Sequence, residues 1–89
     1  KVEGLVAAVD GGQVVLNVGA KTGIKVGDHL SVERVTSTIK DPATGAVLRK
    51  MTTKLGELEV TDVDDISAVC KIVTGTGFKI GDEAKTVVQ

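Results

Sequence analysis

Apolar residues alternate with polar ones along several short stretches of the chain. Val14, Leu16 and Val18 occupy every second position, and an equally regular set follows further along at Ala68, Cys70 and Ile72. A period of two residues is typical of a β-strand with one face in a core, and no segment shows the 3.6-residue period of a helix. The pattern predicts an all-β chain with six main strands, at about 4–9, 13–18, 29–40, 46–63, 67–73 and 82–88.

Two stretches nearly copy each other, TGIKVGD at 22–28 and TGFKIGD at 76–82. The same offset of 54 positions aligns further residues: Val6 with Val60, Val9 with Val63, Asp10 with Asp64, and Val15 with Val69. Each copy predicts two strands, a glycine-rich crossing and a Gly-Asp step into a third strand. We therefore predict a small barrel, closed or partly open, in which units 6–32 and 60–86 are related by a pseudo-twofold axis and joined by a long bent hairpin.

Glycine and aspartate mark the predicted turns. Each crossing ends in a Gly-Asp pair, whose carboxylate can accept backbone N–H groups rather than serve in catalysis. In the first crossing, Ile24 and Val26 are expected to plug the barrel end. The positions assigned to structural turns are Gly19, Gly23, Gly27, Asp28, Asp41, Pro42, Gly45, Gly77, Gly81 and Asp82.

The long hairpin has its tip at 41–45, where proline and glycine suit a type I turn and the residue that closes it. In both of its strands, 29–40 and 46–63, the apolar positions switch parity partway. Such a switch indicates a bulge or a sharp coil. Because Gly56 lies at one switch, we predict that the second strand of the hairpin is broken near it.

Composition excludes several functions without naming one. The 89 residues make one domain, 42% of them are apolar, and Phe78 is the only aromatic residue. Eleven basic against twelve acidic side chains create no strong field for nucleic acid or an anionic membrane. A single cysteine excludes an internal disulfide, and no apolar run approaches the roughly 20 residues of a membrane helix. The chain begins at Lys1 without Met, so we expect a domain taken from a longer protein.

The candidate ligand sites favour structural explanations. The crossings at 19–23 and 75–81 lack the spacing of a phosphate loop or a dinucleotide fingerprint and open no helix. Asp62, Asp64 and Asp65 could ligate calcium, but they include no bidentate Glu and no loop glycine. A solvated turn is the favoured interpretation.

Candidate nucleophiles and metal ligands are equally sparse. His29, the sole histidine, is replaced by Glu83 in the second copy and is expected to face solvent. Cys70 stands at the place of Leu16, which predicts a buried and unreactive side chain. The sequence therefore assigns no catalytic, cofactor-binding or metal-binding residue, and no cofactor.

A basic group lies on the long hairpin, balanced in sequence only by Asp41; its members are Lys40, Arg49, Lys50 and Lys54. It could be a contact surface for an acidic partner or polymer. Alternatively, these side chains only keep a protruding hairpin soluble, which ordinary surface composition favours. Nucleic-acid binding is the weaker prediction, because no exposed aromatic side chains are indicated for base stacking.

The order of these motifs resembles known families. The two apolar–Gly-Asp steps look like the GD-box of cradle-loop barrels, a group of diverse function. VVLNVGAKTGIKVGDHLSVERV, DPATGAVL, LGELEVTDVDDISAVCKIV and GFKIGDEA follow the order of the C-terminal domain of the flagellar assembly T protein. Similar domains occur in proteins linked to curli-type secretion and other outer-membrane assemblies.

The resemblance implies a function that the residues alone do not. It implies a non-catalytic interaction or scaffolding module, periplasmic or outer-membrane-associated, with a protein partner in the bacterial cell envelope. A nucleic-acid or translation-type barrel is the alternative, since GD-box barrels include such proteins. The basic hairpin is the expected partner contact.

Overall fold

Six antiparallel strands form a closed barrel in the computed structural model, which describes residues 2–87. The strands are β1 (Glu3–Asp10), β2 (Gln13–Leu16), β3 (His29–Lys40), β4 (Val47–Val63), β5 (Ala68–Gly75) and β6 (Glu83–Thr86). Their order around the barrel is β1-β2-β5-β4-β3-β6. Within residues 2–87 the only helical segment is a 3-10 turn at Ala20–Thr22. The predicted all-β barrel is confirmed.

Alternate side chains of the strands form the core. In β2 and β5, Val14, Leu16, Ala68 and Cys70 are all buried, as their spacing predicts. The other buried apolar residues are Val6, Val18, Ile24, Leu30, Val32, Leu58, Val60, Phe78 and Ala84. Aliphatic side chains therefore supply nearly the whole interior, and burying them is the main favourable term in folding this barrel.

The strand register gives the barrel a pseudo-twofold axis. Val15 of β2 lies opposite Val69 of β5, and Ser31 of β3 lies opposite Lys85 of β6. Each pair joins residues 54 positions apart, which is the offset of the sequence repeat. Equivalent positions face each other only where a twofold axis passes between them, so the axis runs through both pairs. This confirms the predicted relation between the two copies.

Each Gly-Asp turn is hydrogen-bonded to the other copy. The Gly27 N–H donates to the Val60 carbonyl, and the Val60 N–H donates to the Asp28 carbonyl, both at 2.9 Å. The second turn, 81–82, holds Val6 through the same two bonds, again at 2.9 Å. Both turn glycines have φ of 94°, a left-handed conformation that glycine adopts without steric cost. The doubled motif therefore joins the two halves of the barrel.

One expectation about the crossings is wrong. Ile24 is buried, but Val26, which we expected to plug the barrel end, is 63% exposed. Residues 25–28 form a turn closed by a backbone hydrogen bond of 3.1 Å between its ends, so the chain does not stay extended from one apolar residue to the next. The second copy behaves alike, with Phe78 buried and Ile80 74% exposed.

The predicted break in the second strand of the long hairpin is also wrong, because β4 runs unbroken past Gly56. The parity switch arises from a bulge, in which Leu55 is the extra residue opposite Val32 and Glu33 of β3. Glycine is required next to this bulge because a Cβ on Gly56 would overlap the Thr74 carbonyl of β5. A close approach of two strands therefore replaces the expected interruption.

Candidate interaction surface

Beyond the barrel, β3 and β4 continue as a two-stranded ribbon that ends in the turn 41–46. We call this ribbon together with its turn, residues 34–55, the arm. β6 pairs with β3 only as far as Glu33, and β5 pairs with β4 only from Gly56 onward. Within residues 2–87, both outer edges of the arm therefore lack a partner strand. The molecule measures 45 Å along its longest axis and 27 and 25 Å across.

The tip of the arm is ordered by its own hydrogen bonds. The Asp41 N–H donates to the Ala46 carbonyl at 2.8 Å, and the Gly45 N–H donates to the Asp41 carbonyl at 2.7 Å. The Asp41 carboxylate also accepts from the Ala43 N–H at 2.8 Å. Gly45 has φ of 76°, which closes the turn. The arm therefore ends in a defined shape rather than in a loose loop.

The basic side chains of the arm divide into two kinds. Lys54 Nζ lies 3.0 Å from a carboxylate oxygen of Glu57, and Lys50 Nζ lies 3.7 Å from one of Glu83. Lys40 and Arg49 form no ion pair within residues 2–87. The sequence suggested that only Asp41 balances this group, because it did not reveal which barrel carboxylates lie beside the arm.

The arm that carries Lys40 and Arg49 also has exposed apolar side chains. Leu48 is 63% exposed, and Ile39, Val47 and Met51 are also exposed. In the register, Ile39 lies opposite Arg49, so an apolar and a basic side chain share one face near the tip. The sequence predicted apolar positions in both strands of the long hairpin but did not show whether other strands cover them. The endpoints of pairing with β5 and β6, together with the exposure of these side chains, show that no other strand within residues 2–87 covers them.

A cleft of about 360 Å³ separates the arm from β1 and β6. Its lining includes Glu3, Leu5, Lys50, Glu83 and Lys85. Lys85 Nζ lies 3.7 Å from a carboxylate oxygen of Glu3, so the opposite charges of the lining largely pair with one another. The cleft therefore presents no unbalanced charge to attract an ionic ligand, and the Lys50–Glu83 pair links the arm to the barrel across it.

Arg34, where the arm begins, clamps the second Gly-Asp turn. Its guanidinium donates to both carboxylate oxygens of Asp82 at 2.9 Å and to the Gly77 carbonyl at 2.7 Å. Asp82 is only 5% exposed and also accepts from the Lys79 N–H at 2.8 Å. The Arg34 hydrogen bond lowers the pKa of Asp82, against the opposing effect of burial. The sequence indicated backbone bonding at Asp82 but not this partner, which lies 48 positions away.

The first glycine-rich crossing, residues 19–23, uses its N–H groups internally. The N–H groups of Ala20 and Lys21 donate to the carbonyls of Asp64 and Asp65, at 2.8 and 3.1 Å. Gly19 lies against this same turn so closely that a Cβ would overlap the Asp64 carbonyl. These donors bind the β4–β5 turn and are not directed at a ligand.

The remaining candidates lie apart from one another. Burial raises the pKa of the Cys70 thiol to about 11, so the nucleophilic thiolate is scarce at neutral pH. His29 is partly buried rather than fully exposed, and it lies opposite Glu59 in the sheet. In the part of the chain that the structure describes, no three His, Cys, Asp or Glu side chains are grouped so as to hold a metal ion.

Comparison with known proteins identifies the family. Among residues 2–87, no helix has the length and apolar character needed to cross a bilayer. No curated protein matches the chain significantly. The profile of the family described as "Flagellar assembly protein T, C-terminal domain" matches residues 11–79, which include both hairpin units in large part and the whole arm. The chain therefore belongs to the family of C-terminal domains of flagellar assembly protein T.

Proposed function

We propose that this chain is a non-catalytic interaction module of a flagellar assembly protein in the bacterial cell envelope, periplasmic or outer-membrane-associated, and that the arm is its contact surface. The observation that carries the proposal is the arm itself, which within residues 2–87 is a ribbon with two open edges. It exposes Leu48 and Met51 on the same ribbon as Lys40 and Arg49, which form no ion pair with any other described residue. Exposed apolar side chains bordered by charge are typical of protein-binding sites. Family membership supports the assembly role.

A catalytic role has no comparable support in the described residues. Asp82, the most deeply buried carboxylate among them, is held by Arg34 and has a lowered pKa, so it is unsuited to accept a proton near neutral pH. Cys70 faces the core, and its pKa is raised. The nucleic-acid alternative is disfavoured because the only aromatic residue, Phe78, is buried and cannot stack on a base.

The test of the arm uses Lys40 and Arg49, the two basic side chains of the arm that have no carboxylate partner within residues 2–87. Reversing Lys50 or Lys54 would set like charges against Glu83 or Glu57 and disturb the barrel, so Lys40→Glu with Arg49→Glu is the informative variant. The matched control is Lys21→Glu with Lys25→Glu, which makes the same charge change in the first crossing.

Each protein serves as bait in an envelope extract of a flagellated bacterium, and retained flagellar proteins are identified by mass spectrometry and then titrated in purified form. We expect the control to bind like the parent chain and the arm variant to bind at least about tenfold more weakly, the effect of about 1.4 kcal/mol. Equal binding by the arm variant would refute the proposal. A shift of RNA or DNA in a low-salt gel would favour the alternative.

A further inference from the structure

The two ends of β4 carry opposite charges. Its arm end carries Arg49 and pairs with Lys40 of β3. At its other end, the last two residues of β4 and the turn that follows form residues 62–67, which we call the acidic turn and which hold Asp62, Asp64 and Asp65. None of these three carboxylates forms an ion pair within residues 2–87. Asp64 accepts only from the Ser67 hydroxyl at 3.2 Å, and a neutral donor leaves the charge uncompensated.

Charge also divides between the arm and the rest of the chain. Residues 34–55, the arm, hold five basic and one acidic side chain, whereas the rest of the chain holds six basic and eleven acidic ones. The arm is therefore positive on a chain whose remainder is negative. Such a separation favours contact between the arm of one molecule and the body of another.

Each charged end of β4 also has an exposed apolar side chain. Leu48 lies near the arm tip and is 63% exposed, and Ile66 lies in the acidic turn and is 69% exposed. A contact between the two regions would bury both side chains while pairing opposite charges. The acidic turn is a firm surface, because Ala20 and Lys21 donate backbone hydrogen bonds to it.

One molecule cannot bring these regions together. β4 is continuous from Val47 to Val63, so the arm tip and the acidic turn are held at opposite ends of a single strand. Contact between two arm tips is disfavoured, because it would oppose Lys40 and Arg49 to their own copies. The arrangement that satisfies both charges joins a tip to the acidic turn of another molecule.

We propose that the arm tip docks on the acidic turn of a second copy of this chain, head to tail. The inference rests on the proposed function, since it names a partner for the same arm. Each copy in such a contact keeps one free tip or one free turn, so the contact can repeat from molecule to molecule.

The test uses neutral variants that leave the fold intact. The tip variant is Lys40→Gln with Arg49→Gln; the turn variant replaces Asp62, Asp64 and Asp65 by Asn, which can still accept the local hydrogen bonds. Asp10→Asn is the control, because Asp10 is the repeat equivalent of Asp64 and is an exposed residue directly before the turn of the other hairpin. Sedimentation equilibrium measures the mass of each protein up to about 1 mM, enough to detect millimolar contacts.

The parent chain and the control are expected to exceed the 9.1 kDa monomer mass at about 0.01 M salt, where charges act over about 30 Å, and to return to it at about 1 M salt. Each variant alone stays monomeric. An equimolar mixture of the two variants forms a species of twice the monomer mass and no larger one, since one intact tip meets one intact turn.

Three results would overturn the inference: a monomeric parent chain at low salt, association of the turn variant alone, or no dimer in the mixture. The turn variant keeps its arm, so its recovery of flagellar proteins tests the proposed function separately. If the turn variant recovers flagellar proteins but forms no dimer with the tip variant, the proposed function stands and the head-to-tail contact is rejected. If the arm charge reversal leaves that recovery unchanged, the proposed function is rejected.

Discussion

At the scale of single residues, the repeat places the same aspartate in two environments. Asp28 and Asp82 each accept a hydrogen bond from the N–H three residues earlier, at 2.9 and 2.8 Å. Only Asp82 also receives the bidentate Arg34 guanidinium, and it is the more buried of the two. The backbone bond is therefore the common structural role of both residues, and the ion pair is an addition in one copy.

The two aspartates should differ in their response to the same substitution. We expect Asp82→Asn to lower the free energy of unfolding by about 1–3 kcal/mol, because an amide set against Arg34 loses charge-assisted hydrogen bonds. For a domain of this size the Tm falls by about 5 °C or more. Asp28→Asn should change it little, since the amide oxygen still accepts from Lys25. Equal effects in thermal unfolding would contradict this assignment.

The effect of Asp82 should depend on pH. Its pKa is lower in the folded chain than in the unfolded chain, so its contribution is complete above the unfolded pKa of about 3.9 and is lost as pH falls through the folded value. The stability gap between the parent chain and Asp82→Asn should therefore be constant near neutral pH and shrink below about pH 4. Urea unfolding at several pH values measures the gap, and a gap that persists to pH 2 argues against an ionised Asp82.

At the scale of elements, the arm leaves the barrel where two glycines pack together. Gly56 of β4 lies opposite Gly75, the last residue of β5. A Cβ on Gly75 would overlap the Leu55 carbonyl, just as one on Gly56 would overlap that of Thr74. The strands approach so closely that only glycine fits, and β5 ends there with φ of 95° at Gly75. This contact marks the boundary between the covered and the open part of β4.

Alanine substitutions can distinguish the steric cost of a close strand approach from the cost of a left-handed backbone conformation. Gly77 also has positive φ, 81°, but nothing lies near its missing Cβ. We expect Gly77→Ala to cost about 1–2 kcal/mol from the left-handed conformation alone. Gly75→Ala should cost about 1–3 kcal/mol more, because the backbone of β4 must also move. Chemical denaturation compares the two, and similar losses would show that the approach is less tight than described.

The sequence predicted local structure well and long-range partners poorly. Alternation at Val14 and Leu16 located strands and core, and the doubled Gly-Asp step gave the symmetry, because both depend on neighbouring residues. Val26 was misassigned because a turn of four residues overrides alternation. The Arg34–Asp82 pair and the endpoints of strand pairing depend on residues distant in sequence, and no local pattern encodes them.

At the scale of the whole molecule, each half of the chain completes the other. β1 pairs with β6 and β2 pairs with β5, so the first hairpin lies between strands from the second half. The Gly-Asp turn of each half is bonded to a strand of the other. Neither half therefore contains the partners for its own backbone groups, and exposed strand edges would remain if one were alone.

Cleavage in the arm tip should test this dependence. Fragments 1–43 and 44–89 separate the two hairpin units at an exposed turn. We expect each fragment alone to lack a cooperative thermal transition, and an equimolar mixture to recover the β-sheet circular dichroism spectrum of the intact chain. A cooperative transition in either isolated fragment would show that one half folds without the other.

The continuity of β4 has a mechanical consequence. A partner that pulls on the arm tip applies its force along a strand that is also part of the barrel wall. Because the tip joins β4 to β3, the two strands are pulled together, and the hydrogen bonds of β4 to β5 and of β3 to β6 bear the load in parallel, by shear, instead of opening one after another as in a peeled hairpin. The resistance of the arm to tension is thus set by the whole sheet and not by its own two strands.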